Sequence, residues 1–100
     1  MTTLARRAAY WLVRLARPPV FVVTFRAGRA TAANGAPPAE WLADCGAIAA
    51  EFGVERGHVD AVRAPHGLAL RFSPDVPAAS HQRFRNVFAL CVQRGRCRPR

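Results

Sequence analysis

Residues 20–28, Val20-Phe21-Val22-Val23-Thr24-Phe25-Arg26-Ala27-Gly28, are rich in β-branched and aromatic side chains and end in a turn pair. The run reads as a strand in which Phe21, Val23 and Phe25 alternate with Val22, Thr24 and Arg26. Ala27-Gly28 suits a tight turn into a short partner strand around residues 29–33, which Asn34-Gly35 ends. This predicts a β-hairpin.

After the hairpin, Pro37 and Pro38 fit the first turn of a helix running to about Phe52. Trp41, Cys45, Ile48 and Phe52 recur at helical spacing, flanked by Leu42 and Ala49, and Gly53 supplies the stop. A second hairpin follows, from strands at 58–63 and 68–72 joined around Pro65-His66-Gly67. Leu68, Leu70 and Phe72 share one of its faces. Ser73-Pro74-Asp75 resets the chain into a third helix, with Asp75 the expected cap. That helix presents Phe84, Val87, Phe88, Cys91 and Val92 on one side.

Before the first strand, residues 3–16 form an amphipathic helix that Thr2 or Thr3 can cap and Pro18-Pro19 stop. At 100° per residue, Arg6, Arg7, Arg14 and Arg17 fall within an arc of about 100°, opposite Leu4, Ala8, Leu12 and Leu15. Trp11 also lies on the apolar side. The expected fold is α+β: an N-terminal amphipathic helix, then ββαββα. Its antiparallel sheet is expected to have helices packed on one face. In residue terms this gives a basic helix at 1–17, one domain at 19–93 and a frayed basic tail at 94–100. One hundred residues support one core and no more.

The net charge is +9, and all 15 basic residues are arginine. An arginine-only, alanine-rich composition is also what GC-rich coding produces, so charge alone does not specify an anionic ligand. The charge is also unevenly spread. Residues 1–36 hold six arginines and no acid, as do residues 81–100, whereas 37–80 hold six acids against three arginines. No apolar run approaches the roughly 18 uncharged residues of a membrane span, and arginines interrupt the place of a signal peptide. A cytoplasmic location is the expectation.

No catalytic constellation emerges. Cys45, Cys91 and Cys97 lack CxxC spacing, and His58, His66 and His81 stand apart from them, so neither a metal site nor a cofactor is expected. Cys45 and Cys91 read as small buried hydrophobes and Cys97 as an exposed thiol, with no structural disulfide. Asp44 and Glu51 read as a solvated helix flank, and Gly28, Gly35 and Gly67 are single turn residues that build no phosphate loop. The chain is therefore expected not to be an enzyme, and no small-molecule substrate is identified.

Two groups of side chains stand out as contact candidates. Arg6, Arg7, Arg14 and Arg17 with Trp11 form a membrane or anion contact, the arginines meeting anionic lipid while Trp11 and the leucines insert. Gln82, Arg83 and Asn86 form a polar strip suited to a ligand or partner. The expected partner is an anionic membrane surface or a membrane protein, at the inner face of the cytoplasmic membrane. Nucleic acid, gripped through the basic ends, is the alternative. It lacks a recognition motif, and most aromatics fall on core stripes instead of an exposed stacking surface.

Four phrases resemble an uncharacterised family of short bacterial proteins classed only as a domain of unknown function. They are Pro19-Val20-Phe21, Trp41-Leu42-Ala43-Asp44-Cys45, Leu70-Arg71-Phe72-Ser73 and, most distinctive, Gln82-Arg83-Phe84-Arg85-Asn86-Val87-Phe88. The resemblance implies an apolar N-terminal anchor, from which this chain departs through its four arginines. It implies no catalytic residues.

Overall fold

The computed structural model describes the backbone of residues 2–97 and the side chains of residues 4–97. The elements run α1 (Thr2–Ala16), β1 (Phe21–Arg26), β2 (Arg29–Asn34), α2 (Ala39–Phe52), β3 (Arg56–Ala64), β4 (Gly67–Phe72) and α3 (Ala78–Gln93). The helix-then-ββαββα order matches the expected α+β fold. The strands form one antiparallel sheet in the order β2-β1-β3-β4. The two hairpins thus meet through their first strands, β1 and β3, and both second strands lie at edges.

Strand alternation divides the side chains between two layers. Phe21, Val23 and Phe25 of β1 and Val59 and Ala61 of β3 turn to one face. There α2 supplies Trp41, Cys45 and Ile48, and α3 supplies Phe84, Phe88 and Cys91. Trp41 is fully buried, with its ring 4.9 Å from Phe88 and 6.3 Å from Phe84 in edge-on contacts that aromatic quadrupoles favour. Phe25 and Phe72 approach Phe84 from the sheet, each at 5.8 Å.

The predicted turns fall where their chemistry requires. Ala27 and Gly28 both take positive φ, 51° and 76°, as a two-residue hairpin needs for its twist to match the strands. Gly35 is irreplaceable for a second reason: a Cβ there would lie 2.4 Å from the Val20 carbonyl oxygen.

Several local expectations are corrected. Asp75 does not cap α3; Pro77 takes the cap position, and the Asp75 carboxylate accepts from Arg7 at 2.7 Å. Val92 is exposed, at the rim of a groove it shares with Leu68, Leu70 and Phe88. Cys97 is buried, not exposed: after Gly95, at φ 72°, the chain doubles back and Cys97 forms a disulfide with Cys91. Its closure depends on a turn that spacing alone does not reveal. Residues 98–100 of the predicted tail and the predicted cap side chains at Thr2 and Thr3 lie outside what is described.

Helix α1 covers the opposite face of the sheet. It lies along β3, from Arg7 beside Asp75 to Arg17, which donates to the Arg63 carbonyl at 3.2 Å. The side it turns to the sheet is the arginine side, with Tyr10 at its centre. Leu4, Leu12 and Leu15 face outward, 70%, 67% and 79% exposed.

Candidate functional site

The seam between α1 and the sheet is built around Asp60. Alternation along β3 sends His58, Asp60 and Val62 to the α1 face, and Asp60 pairs across the sheet with Val22 and Arg71. Aspartate is a poor strand residue, and a buried charge is tolerated only when paired and hydrogen-bonded. Asp60 is fully buried and meets both conditions. Arg71 donates to one oxygen through Nε (2.9 Å) and Nη2 (2.8 Å). The Tyr10 hydroxyl sits between the two oxygens at 2.7 and 2.8 Å.

Around this pair the contacts are aromatic and cationic. The His58 ring stacks on Tyr10 at 6.1 Å and meets the edge of Trp11 at 5.4 Å. Its Nδ1 lies 3.0 Å from the Thr24 hydroxyl. Arg14 lies over the Trp11 ring at 4.7 Å, and Arg71 also donates to the Arg17 carbonyl at 3.0 Å. Burial, then the Asp60 hydrogen bond, push the Tyr10 phenol above its ordinary value. Burial and the Arg14 charge hold His58 below the ordinary imidazole range. Chemically, this is a closed latch. Both Asp60 oxygens are occupied and the tyrosine is held neutral, so the cluster fixes α1 in place.

The sequence-predicted contact residues are placed as follows. Arg6, Arg7, Arg14 and Arg17 do share one side of α1, but two of them are engaged by the domain and a third by a ring of α1 itself. Arg7 pairs with Asp75, Arg14 covers Trp11, and Arg17 reaches Arg63. Arg6 is exposed, and Trp11 is 47% exposed at the border of the outward leucine strip. In the second group Gln82 donates to Asn86 at 2.8 Å along the helix, and Arg83 turns to Glu51 of α2 at 3.4 Å. These exposed contacts link the strip to itself and to α2.

Sequence reading missed Tyr10 and Asp60. Their signals were a tyrosine centred in the arginine arc and a charged residue inside an otherwise apolar strand alternation. Beside α1, the uncovered part of the same sheet face opens into two adjoining grooves that share Thr24, Arg26, Ala27 and His58. The larger, of about 780 Å³, also has Arg29 and Thr31 in its wall.

Among the described residues no three His, Cys, Asp or Glu side chains are grouped so as to hold a metal ion. No described helix is long and apolar enough to cross a membrane. Compared with known proteins, residues 1–98 match the family model described as "Protein of unknown function (DUF3634)". No curated protein and no solved structure matches the chain.

Proposed function

The chain belongs to this family of unknown function and takes no activity from it, so we propose from its own geometry a non-enzymatic module that docks peripherally on an anionic membrane surface. The placement is the inner face of the cytoplasmic membrane, and α1 is the docking element. One observation carries this reading: α1 spends its arginine side on the sheet and leaves Leu4, Leu12 and Leu15 in solvent. A helix that leaves its leucine strip in solvent is matched to an apolar surface elsewhere.

Charge selects lipid as that surface. Of the acids on the α1 side, Asp60 and Asp75 are paired to Arg71 and Arg7, which leaves Glu55 at the groove end against Arg26, Arg29 and Arg56. Glu40 and Glu51, on α2 across the sheet, are met by Arg94, Arg96 and Arg83. Unneutralised arginine is therefore left on the α1 side, where Arg6 flanks the leucines. Each arginine near an anionic leaflet contributes about 1 kcal/mol. Three inserted leucines at about 2 kcal/mol each bring attachment into the reversible range of a single acyl chain.

Co-sedimentation tests the reading. The full chain is expected to pellet with phosphatidylglycerol-containing vesicles and to stay in the supernatant with phosphatidylcholine alone. Leu12→Glu, at a position 67% exposed, is expected to abolish pelleting without changing the circular dichroism spectrum. The reading fails if anionic vesicles are ignored. It also fails if Leu12→Glu dissolves a dimer instead, or if the chain binds mixed-sequence RNA while leaving vesicles alone.

A further inference from the structure

Three arginines stand side by side on the sheet face that α1 leaves open. Arg26 of β1 pairs in register with Arg29 of β2 on one side and with Arg56 of β3 on the other. Directly opposed residues of antiparallel strands project to the same face, so the three arginines leave one face from backbone positions spanning about 10 Å, two strand spacings. All three are exposed.

Like charges opposed in register destabilise a sheet. Among the described residues no ion pair offsets them, and the one carboxylate standing over the Gly28 turn is that of Glu55. The arginines that make ion pairs with carboxylates lie elsewhere, among them Arg7, Arg71, Arg83, Arg94 and Arg96. Among the described residues, Arg26, Arg29 and Arg56 have no carboxylate partner. Two acids line the same end of the groove. Asp75 is engaged by Arg7, and Glu55, whose backbone carbonyl accepts from Gly28, makes no ion pair with the row.

The next row of the same face is polar. Thr31 pairs with Thr24, and Thr24 with His58. All three line the groove that also holds Arg26 and Arg29. A guanidinium row above hydroxyl and imidazole groups offers fork-shaped donors to tetrahedral oxyanions and little to an apolar ligand.

We infer that Arg26, Arg29 and Arg56 form a binding row for phosphate groups, with Thr24, Thr31 and His58 as its floor. The row takes a phosphate monoester or diphosphate, either free or as the exposed headgroup of a lipid. It stands independently of the membrane reading, because none of its residues lies on α1.

Thermal melts of the full chain with inorganic pyrophosphate, at ionic strength held constant with sodium chloride, test it. Pyrophosphate is expected to raise the Tm of the parent, and R26Q/R29Q and R56Q are expected to lose that response. Each lost arginine weakens binding, read by isothermal titration, by roughly tenfold. Without pyrophosphate the variants are expected to melt no lower than the parent, since an opposed like charge has gone. That sign separates a ligand row from a structural one.

Two results overturn the inference: an equal pyrophosphate response in parent and variants, or a parent response reproduced by sodium chloride. Vesicles containing phosphatidic acid then identify the source. Row-dependent pelleting of Leu12→Glu, which lacks the leucine contact, marks the lipid headgroup. Row-dependent binding of pyrophosphate alone marks a free phosphate.

Discussion

Tyr10 and Asp60 set the orientation on which the functional reading depends. A hydrogen bond to a buried carboxylate contributes about 2 kcal/mol, and a buried cation left without its partner costs about 3–5 kcal/mol. Tyr10→Phe is therefore expected to lower the urea-derived unfolding free energy by about 2 kcal/mol. Asp60→Ala, which strands Arg71, is expected to lower it by more. A Tyr10→Phe melt superimposable on the parent's would mean that α1 is held by something else. His58 carries a pH signature of the same seam. Its folded-state pKa lies below the ordinary 6.5, so the folded protein favours the neutral ring. The associated stability is present above pH 6.5 and is lost as pH falls below it. His81, also lowered by burial, acts in the same direction. Tm is expected to fall between pH 7.5 and 5.5, with a shallower fall in His58→Gln. A parent Tm that rises on acidification contradicts this assignment.

At the scale of elements, most of the fold could be read from local chemistry. Ala27-Gly28 and Pro65-His66 punctuate the hairpins, Pro38 and Gly53 bound α2, and the Trp41, Cys45, Ile48 stripe marks its buried side. These signals act over a few residues, so no tertiary knowledge is needed to interpret them. The side of α1 that meets the sheet is a different kind of fact. Its helical wheel separates arginines from leucines, but the choice between them is made by Asp60, fifty residues away, and by Arg71 eleven residues further. The Arg26, Arg29, Arg56 row was hidden for the same reason, because it exists only once β3 is placed beside β1. The Cys91–Cys97 link depends on the turn at Gly95. A loop this short contributes about 2 kcal/mol by chain entropy. Cys97→Ser is expected to lower Tm accordingly. The oxidised native chain is expected to show no reactive thiol, and the denatured chain one, since Cys45 alone is free and buried. Three thiols in the denatured, unreduced protein would rule the bridge out.

The whole molecule has two unlike sides. Across the sheet, α2 and α3 close the aromatic core and carry Glu40 and Glu51 with their arginine partners. On the other side, α1 displays leucines, and the open strands beside it display an unneutralised arginine row. An apolar strip bordered by positive charge suits a lipid surface better than a nucleic-acid groove, where exposed aromatic platforms would be expected. The two tryptophans report on this division separately, since Trp11 borders the leucine strip and Trp41 is sealed in the core. The most direct test is tryptophan emission of the full chain titrated with phosphatidylglycerol vesicles whose acyl chains are brominated. The predicted result is a blue shift and quenching of the Trp11 component, with the Trp41 component unchanged and both effects absent in Leu12→Glu. Emission that is identical with brominated, unbrominated and zwitterionic vesicles would contradict membrane docking through α1.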